Sequence, residues 1–274
     1  MRLIEESLGQ ELFVRTARRL VLNATGRRLL EAVRRSMLSL ERAMPQVLES
    51  SFSGAYRVSS LGVLTDYVVL PALLALRERH PALVPTMTTL TSREANRQLA
   101  SGLIEVALYY DATAMDGVVC RRIGAHTNSI YCGRGHALFG KSRVTRQRLL
   151  EHEFSVVAIG DRGTPMDSWP VEVPRRVGFQ ILMLSTNLSV ALSGRFLTVL
   201  PDLVAEPHAQ SGRLWRLDSE IVPDTDVFAA CRAEDAGDGF TAEVIRACEE
   251  RLASARVTGR ARPRKRRRAK STSA

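Results

Sequence analysis

Leu30, Val33, Met37, Leu40, Met44 and Val47 follow one another at steps of three and four residues. That spacing makes a narrow apolar seam on one side of a helix, the a/d stripe that pairs two helices. Arg27, Arg28, Arg34, Arg35 and Arg42 fall on the other faces. Asn23 stands where it can cap the first free N–H groups, so the pattern predicts one long helix over 24–50. Pro45 lacks an N–H and either kinks this helix or marks its last turns. The same stripe also fits an amphipathic helix lying on its own domain.

Ahead of it, Leu3 to Leu8 reads as a helix end stopped by Gly9 in the C′ position. Leu12–Thr16 and Leu20–Leu22 are short apolar runs around Ala17-Arg18-Arg19, a β-hairpin. Beyond the long helix, β-like runs alternate with helical ones. Strands are predicted at Tyr56–Leu61, Leu83–Leu90, Ile104–Tyr110, Phe154–Ile159 and Asp226–Arg232. Helices are predicted at Thr65–Arg79, with Val68, Val69, Ala72, Leu73 and Leu76 inward, and at Arg93–Ala100, Asn187–Ser193 and Gly239–Ala253. The alternation predicts an α/β fold with mainly parallel strands.

The formal charge of +10 changes this picture once it is located. Residues 1–50 carry nine Arg against six Glu, and residues 254–274 carry nine Lys/Arg and no acid, which leaves 51–253 at −2. Basicity at both ends suggests polyanion contact there and another task in the middle. No acid lies between Glu11 and Glu31, whereas Arg15, Arg18, Arg19, Arg27 and Arg28 do. Guanidinium forks match phosphate oxygens, so the hairpin and helix start are candidate DNA contacts; a solvated hairpin is the plainer reading. The last residues, apolar-poor and basic, read as a disordered tail that either grips DNA nonspecifically or solubilises the chain.

The stretch RLIEESLGQELFVRT…LNATG resembles the junction between the winged helix-turn-helix and linker helix of LysR-type transcriptional regulators. The resemblance rests on Arg2, Glu5, Glu6, Leu8, Gly9, Leu12, Phe13, Arg15, Leu22 and Gly26, with Asn23 in the capping place and Ile4 where Leu is usual. It continues through Leu70-Pro71-Ala72-Leu73-Leu74 to Pro81 and through Gly102–Leu108, where Glu105 replaces Asp. It then takes in Gly135-His136-Ala137-Leu138 and Gly194–Pro201, where Phe196 replaces a glycine. In that family roughly forty further residues supply the first helices and most of the recognition helix. Met1 falls inside that helix's expected tail. Two readings stay open: a start placed inside a longer protein, or a shortened regulator impaired in operator recognition.

The resemblance implies a winged helix-turn-helix remnant (1–23), a linker and dimerisation helix (24–50), and a two-lobed, type 2 periplasmic-binding-protein-like effector domain (51–253). The basic tail (254–274) follows. It implies a cytoplasmic, non-enzymatic homodimer or homotetramer that binds DNA and a small effector. The alternative is a ligand-binding, dimerising protein of the same fold without sequence-specific DNA binding. In such folds the ligand lies at helix N-termini after parallel strands, where free N–H groups favour a carboxylate or other anion. The candidates are Ser60, Thr65, Thr91, Ser92, Thr164, Thr186 and Asn187; singly, each is as well explained as an N-cap. The apolar loop Ser59–Leu64 admits a partly apolar ligand.

Other chemistry finds little support. Gly135–Ser142 fits G-x-x-x-x-G-K-[ST], a phosphate loop, but Val144-Thr145 interrupt the helix that should begin at Lys141-Ser142. The same residues fill the family's H-P-L loop. The histidines form no H-E-x-x-H, and no G-x-S-x-G elbow occurs. Cys120, Cys132, Cys231 and Cys248 lack C-x-x-C spacing and read as reduced core residues, with no metal site. The longest apolar run, Tyr67–Leu76, is too short to span a membrane.

Overall fold

The structure, a computed structural model, describes residues 2–15, 20–48, 52–113, 115–159, 164–217, 221–237 and 239–260. The hairpin tip at Thr16–Arg19 and the tail from residue 261 lie outside them. The chain forms two units. The first holds the chain up to Leu61 with Pro71–Arg121 and Ala229–Ile245; the second holds Gly62–Leu70, Arg122–Phe228 and the chain from Arg246. No helix among the described residues is long and apolar enough to cross a membrane.

The chain opens with α1 (Arg2–Leu8), β1 (Phe13–Arg15), β2 (Leu20–Leu22) and the 25-residue α2 (Ala24–Leu48). Gly9 ends α1 at φ +59°, the left-handed conformation a glycine adopts without penalty. β1 and β2 pair antiparallel as predicted.

A five-stranded sheet follows, built from β3 (Gly54–Ser60), β4 (Leu83–Thr88), β5 (Val106–Tyr109), β6 (Val118–His126) and, later in the chain, β13 (Thr225–Arg232). Its order is β4-β3-β5-β13-β6, with β3 parallel to both β4 and β5. Central β5 is buried along its whole length, which is why it reads Val-Ala-Leu-Tyr without alternation. Glu105, in place of the family's Asp, is buried and accepts a hydrogen bond from the Arg57 N–H, tying β5 to β3. A π-helical turn (Thr65–Val69) leads into α3 (Leu70–Arg79), and α4 (Ser92–Ala100) follows β4. Val68, Val69, Ala72, Leu73 and Leu76 are all buried, as their spacing predicts. Pro71 has no N–H to give the Tyr67 carbonyl, and Arg251 Nε donates to it instead at 3.1 Å.

The second unit's sheet contains β7 (Asn128–Gly133), β8 (Glu153–Ile159), β9 (Thr164–Pro165), β10 (Arg176–Ile181), β11 (Leu197–Pro201) and β12 (Leu214–Leu217). Its order is β10-β8-β11-β7-β12, and β9 pairs with β8. β10, β8 and β11 run parallel; β7 is reversed and pairs antiparallel with both β11 and β12. One face packs α6 (Leu184–Leu192) and α7 (Asp202–Gln210) over Tyr131, Leu200 and Leu214. The other face packs Ile130, Cys132, Phe154, Val156, Leu197 and Val199 with α5 (Arg146–Leu150) and Trp169. There the buried Arg175 and Asp167 form a two-bonded ion pair at 2.7 and 2.8 Å, the guanidinium lying 4.7 Å from the Trp169 ring. Phe196, where the family has glycine, lies edge-on to Phe179 of β10. The last helix, α8 (Gly239–Arg260), runs seven residues past its predicted end.

Candidate functional site

Glu5 and Gly26 of the family motif, with Asn23 in its capping place, are structural ties. Glu5 Oε1 accepts from Leu12 N at 2.7 Å and Phe13 N at 3.2 Å, fastening α1 to β1. Asn23 caps α2 as predicted, accepting from Gly26 N at 2.8 Å while its own amide donates to Glu11 O at 2.7 Å. A Cβ on Gly26 would collide with the Leu12 carbonyl, so only glycine lets α2 start this close to the hairpin. Arg27 and Arg28 are exposed at the positive end of α2. Arg27 Nη1 donates to Leu22 O at 2.9 Å and Arg28 Nη2 to Thr25 Oγ1 at 3.3 Å, which steadies both guanidiniums. The Arg15 side chain, and Arg18 and Arg19 altogether, lie outside the described residues.

The seam of α2 faces out. Leu30, Val33, Met37 and Leu40 are 37%, 46%, 58% and 63% exposed, rising toward the middle of the helix. α3 buries its apolar stripe; α2 does not, so the reading of α2 as lying on its own domain fails for these four positions. Met44 and Val47 have no described side chains.

In the first unit, parallel β3, β4 and β5 bring their C-terminal ends to one edge of the sheet. Ser60 closes β3 and is buried. Thr91 is the N-cap of α4, accepting from Glu94 N at 3.3 Å. Ser92 Oγ donates to Asp111 Oδ2 at 2.9 Å, and Thr113 Oγ1 donates to the same oxygen at 2.7 Å. Asp111, just past β5, was missed in the sequence; a carboxylate following a parallel strand was the signal. Below it, Tyr109 donates to Asn96 Oδ1 at 2.8 Å and Asn96 Nδ2 donates to Thr113 O at 2.9 Å, holding this loop on α4.

In the second unit Thr65 opens the π-helical turn, its N–H donating to Gly62 O at 3.1 Å. Thr164 pairs through its backbone with Ile159. α6 begins at Leu184, three residues before the predicted start at Asn187, and its N-cap, Met183, offers no side-chain acceptor. Thr186 is therefore exposed in the first turn. Asn187, expected at the cap, is instead fully buried one turn in, where Ser155 Oγ donates to its Oδ1. The helix turns Asn187 toward the sheet, away from the free N–H groups.

The G-x-x-x-x-G-K-S run makes turns through Gly140, and the next helix, α5, starts only at Arg146 behind the N-cap Thr145. No helix N-terminus meets Lys141-Ser142, so a phosphate loop is not formed. His136, in this run, is buried 4.8 Å from the His152 ring; burial, reinforced by His152, pushes its pKa down to about 4. His126 is also buried, and burial lowers its pKa. The four cysteines are free thiols. Burial pushes the Cys132 and Cys248 thiols up to about 12 and raises Cys231 as well.

Residues 49–253 match the family model described as the LysR substrate binding domain. The HTH-type transcriptional regulator DsdC of Escherichia coli is 30% identical over 108 residues, which are 39% of this chain and 34% of DsdC. A Streptomyces viridosporus protein named "Probable hydrogen peroxide-inducible genes activator" is 24% identical over 222 residues, 77% of this chain and 70% of the relative. Among solved structures, CrgA, a LysR-type transcriptional regulator from Neisseria meningitidis, superposes with a TM-score of 0.56 at 17% identity, over 94% of this chain and 86% of CrgA. A Corynebacterium glutamicum OxyR C206 mutant gives 0.60 at 18% identity, over 94% of this chain and 85% of that one. The chain belongs to the LysR-type transcriptional regulators, and its α/β units make up that family's two-lobed, type 2 periplasmic-binding-protein-like effector domain.

Proposed function

We propose that this chain is a non-enzymatic, cytoplasmic regulator that dimerises through α2, contacts DNA through the hairpin and the start of α2, and answers to a small effector. The observation that carries this reading is the outward-facing seam of Leu30, Val33, Met37 and Leu40 on a helix placed directly before a LysR substrate-binding domain. Four neighbouring apolar side chains at a/d spacing cost stability in water unless a second helix covers them. Arg15, Arg18, Arg19, Arg27 and Arg28 then flank the paired helices as phosphate contacts.

The effector reads on the strand ends and helix starts that hold Ser60, Thr65, Thr91, Ser92, Thr164 and Thr186. Peroxide sensing, which one relative's name points to, has weak chemical support here. A sensing thiol needs a lowered pKa and access; Cys132, Cys231 and Cys248 are buried with raised values, which leaves half-buried Cys120 as the one accessible thiol.

Light scattering tests the seam: a Met37→Glu, Leu40→Glu chain runs as a monomer where the parent runs as a dimer or tetramer. An unchanged mass would refute it. Fluorescence anisotropy on duplex DNA tests the head. Arg27→Ala with Arg28→Ala reduces the log–log salt slope by about two, one for each phosphate left without its guanidinium. Affinity that is flat across sequences favours ligand binding and dimerisation without operator selectivity. A thermal-shift screen of small carboxylates, run on the parent and on Ser60→Ala with Thr91→Ala, tests the sensor.

A further inference from the structure

A short row of polar side chains runs beneath α6, inside the second unit. Ser155 of β8 and Thr198 of β11 are register partners on adjacent parallel strands, so both side chains leave the same face of the sheet. It is the face that α6 covers. Phe154, Val156, Leu197 and Val199, which alternate with them, point into the opposite core. Asn187 of α6 descends onto Ser155, and its Oδ1 accepts from Ser155 Oγ. All three residues are 0% exposed.

The hydrogen bonding of this row is incomplete. Asn187 Nδ2 and Thr198 Oγ1 are both buried with no hydrogen-bond partner among the described residues. Exchanging the amide's nitrogen and oxygen only moves the deficit to the other end of the group. Each unpaired group of this kind costs about 1–3 kcal/mol when sealed from solvent, and native proteins rarely leave two side by side. Thr198 sits in extended backbone and has no preceding helical carbonyl to bond. An apolar occupant would leave both groups as they are, and full burial leaves no route for a larger polar one.

The geometry points to one internal water molecule held between Asn187 Nδ2, Thr198 Oγ1 and the remaining lone pairs of Ser155 Oγ. It accepts from the amide and donates to the two hydroxyls, giving about three hydrogen bonds, the usual complement of a buried water. It ties the second turn of α6 to the two strands beneath it. This rests on the fold of the second unit and not on the effector or DNA readings.

Thr198→Val separates a wet site from a dry one, because valine keeps the shape and drops only the hydroxyl. If the water is present, the substitution removes one of its partners, and the melting temperature falls by about 2–4 °C. In a dry site the same change deletes an unpaired hydroxyl and the chain melts higher. A crystal structure at high resolution supplies the second readout: an isolated density peak about 2.7–3.2 Å from Asn187 Nδ2 and Thr198 Oγ1. That peak together with a lowered melting temperature supports the assignment. An empty site, or a Thr198→Val chain that melts at or above the parent, overturns it.

Discussion

The two units build the same kind of βα layer, and the polar groups beneath α4 of the first and beneath α6 of the second are treated in opposite ways. In the first, polar groups close on one another. Asn96 serves both Tyr109 and the Thr113 carbonyl, Ser92 and Thr113 share Asp111, and Thr91 caps α4. In the second, α6 starts without a side-chain cap, Asn187 Nδ2 and Thr198 Oγ1 lack protein partners, and His136 is buried beside a second imidazole. The difference teaches where each unit can respond to its surroundings. A closed network resists local change, whereas open donors and buried neutral imidazoles respond to water, protons and ligands.

The comparison breaks most visibly at Asn96. Asn96→Leu takes the amide acceptor from the buried Tyr109 hydroxyl and the donor from the Thr113 carbonyl together, and should cost about 2 kcal/mol in urea unfolding. A cost under about 1 kcal/mol would mean that the first unit's network is not closed.

Acid should act on the second unit. The His136 pKa falls from the ordinary 6.5 to about 4, so the unfolded chain takes the proton more readily than the folded one. The stability this group contributes is complete above pH 6.5 and is lost as pH falls toward 4, by about 1–2 kcal/mol. His126, also lowered, adds in the same direction. Hydrogen exchange at about pH 7 and about pH 5 should show β7, β8 and α5 opening before β3 and β5. His136→Gln should flatten the difference, and equal opening in both units would contradict it.

The smallest effects concern the two helix starts. Thr91→Ala removes a cap and should lower stability by about 1 kcal/mol. Met183→Asp supplies one where none exists and should raise it by about 0.5–1 kcal/mol, read from thermal melts. If both substitutions prove neutral, the contrast between α4 and α6 has no energetic content.

Much of the first unit was legible because its signals are local. The a/d spacing gave α2, Asn23 gave its cap, and Gly9 gave the end of α1. The buried stripe of α3 followed from its period. The second unit was harder to read, for physical reasons. α6 has Met183 where a cap residue would announce it, so the eye goes to Asn187, which is buried for another purpose. β10 is an edge strand whose side chains are nearly all exposed, so Arg-Val-Gly-Phe-Gln-Ile shows no inward face. α7 begins right behind Pro201 and carries Pro207 within it, so both prolines disguise a helix. Asp111 needed the fold, because only the shared direction of β4 and β5, with β3 between them, brings it to Ser92.

Gly26 has a mechanical corollary. With no Cβ between them, the start of α2 and the Leu12 carbonyl sit so close that hairpin and helix must turn as one rigid crank. If α2 pairs as proposed, any swivel of the paired helices would carry Arg27 and Arg28 of both copies through the same angle. Under the proposed DNA contact, the separation of those arginines on a duplex would then be set by the crossing of the two helices.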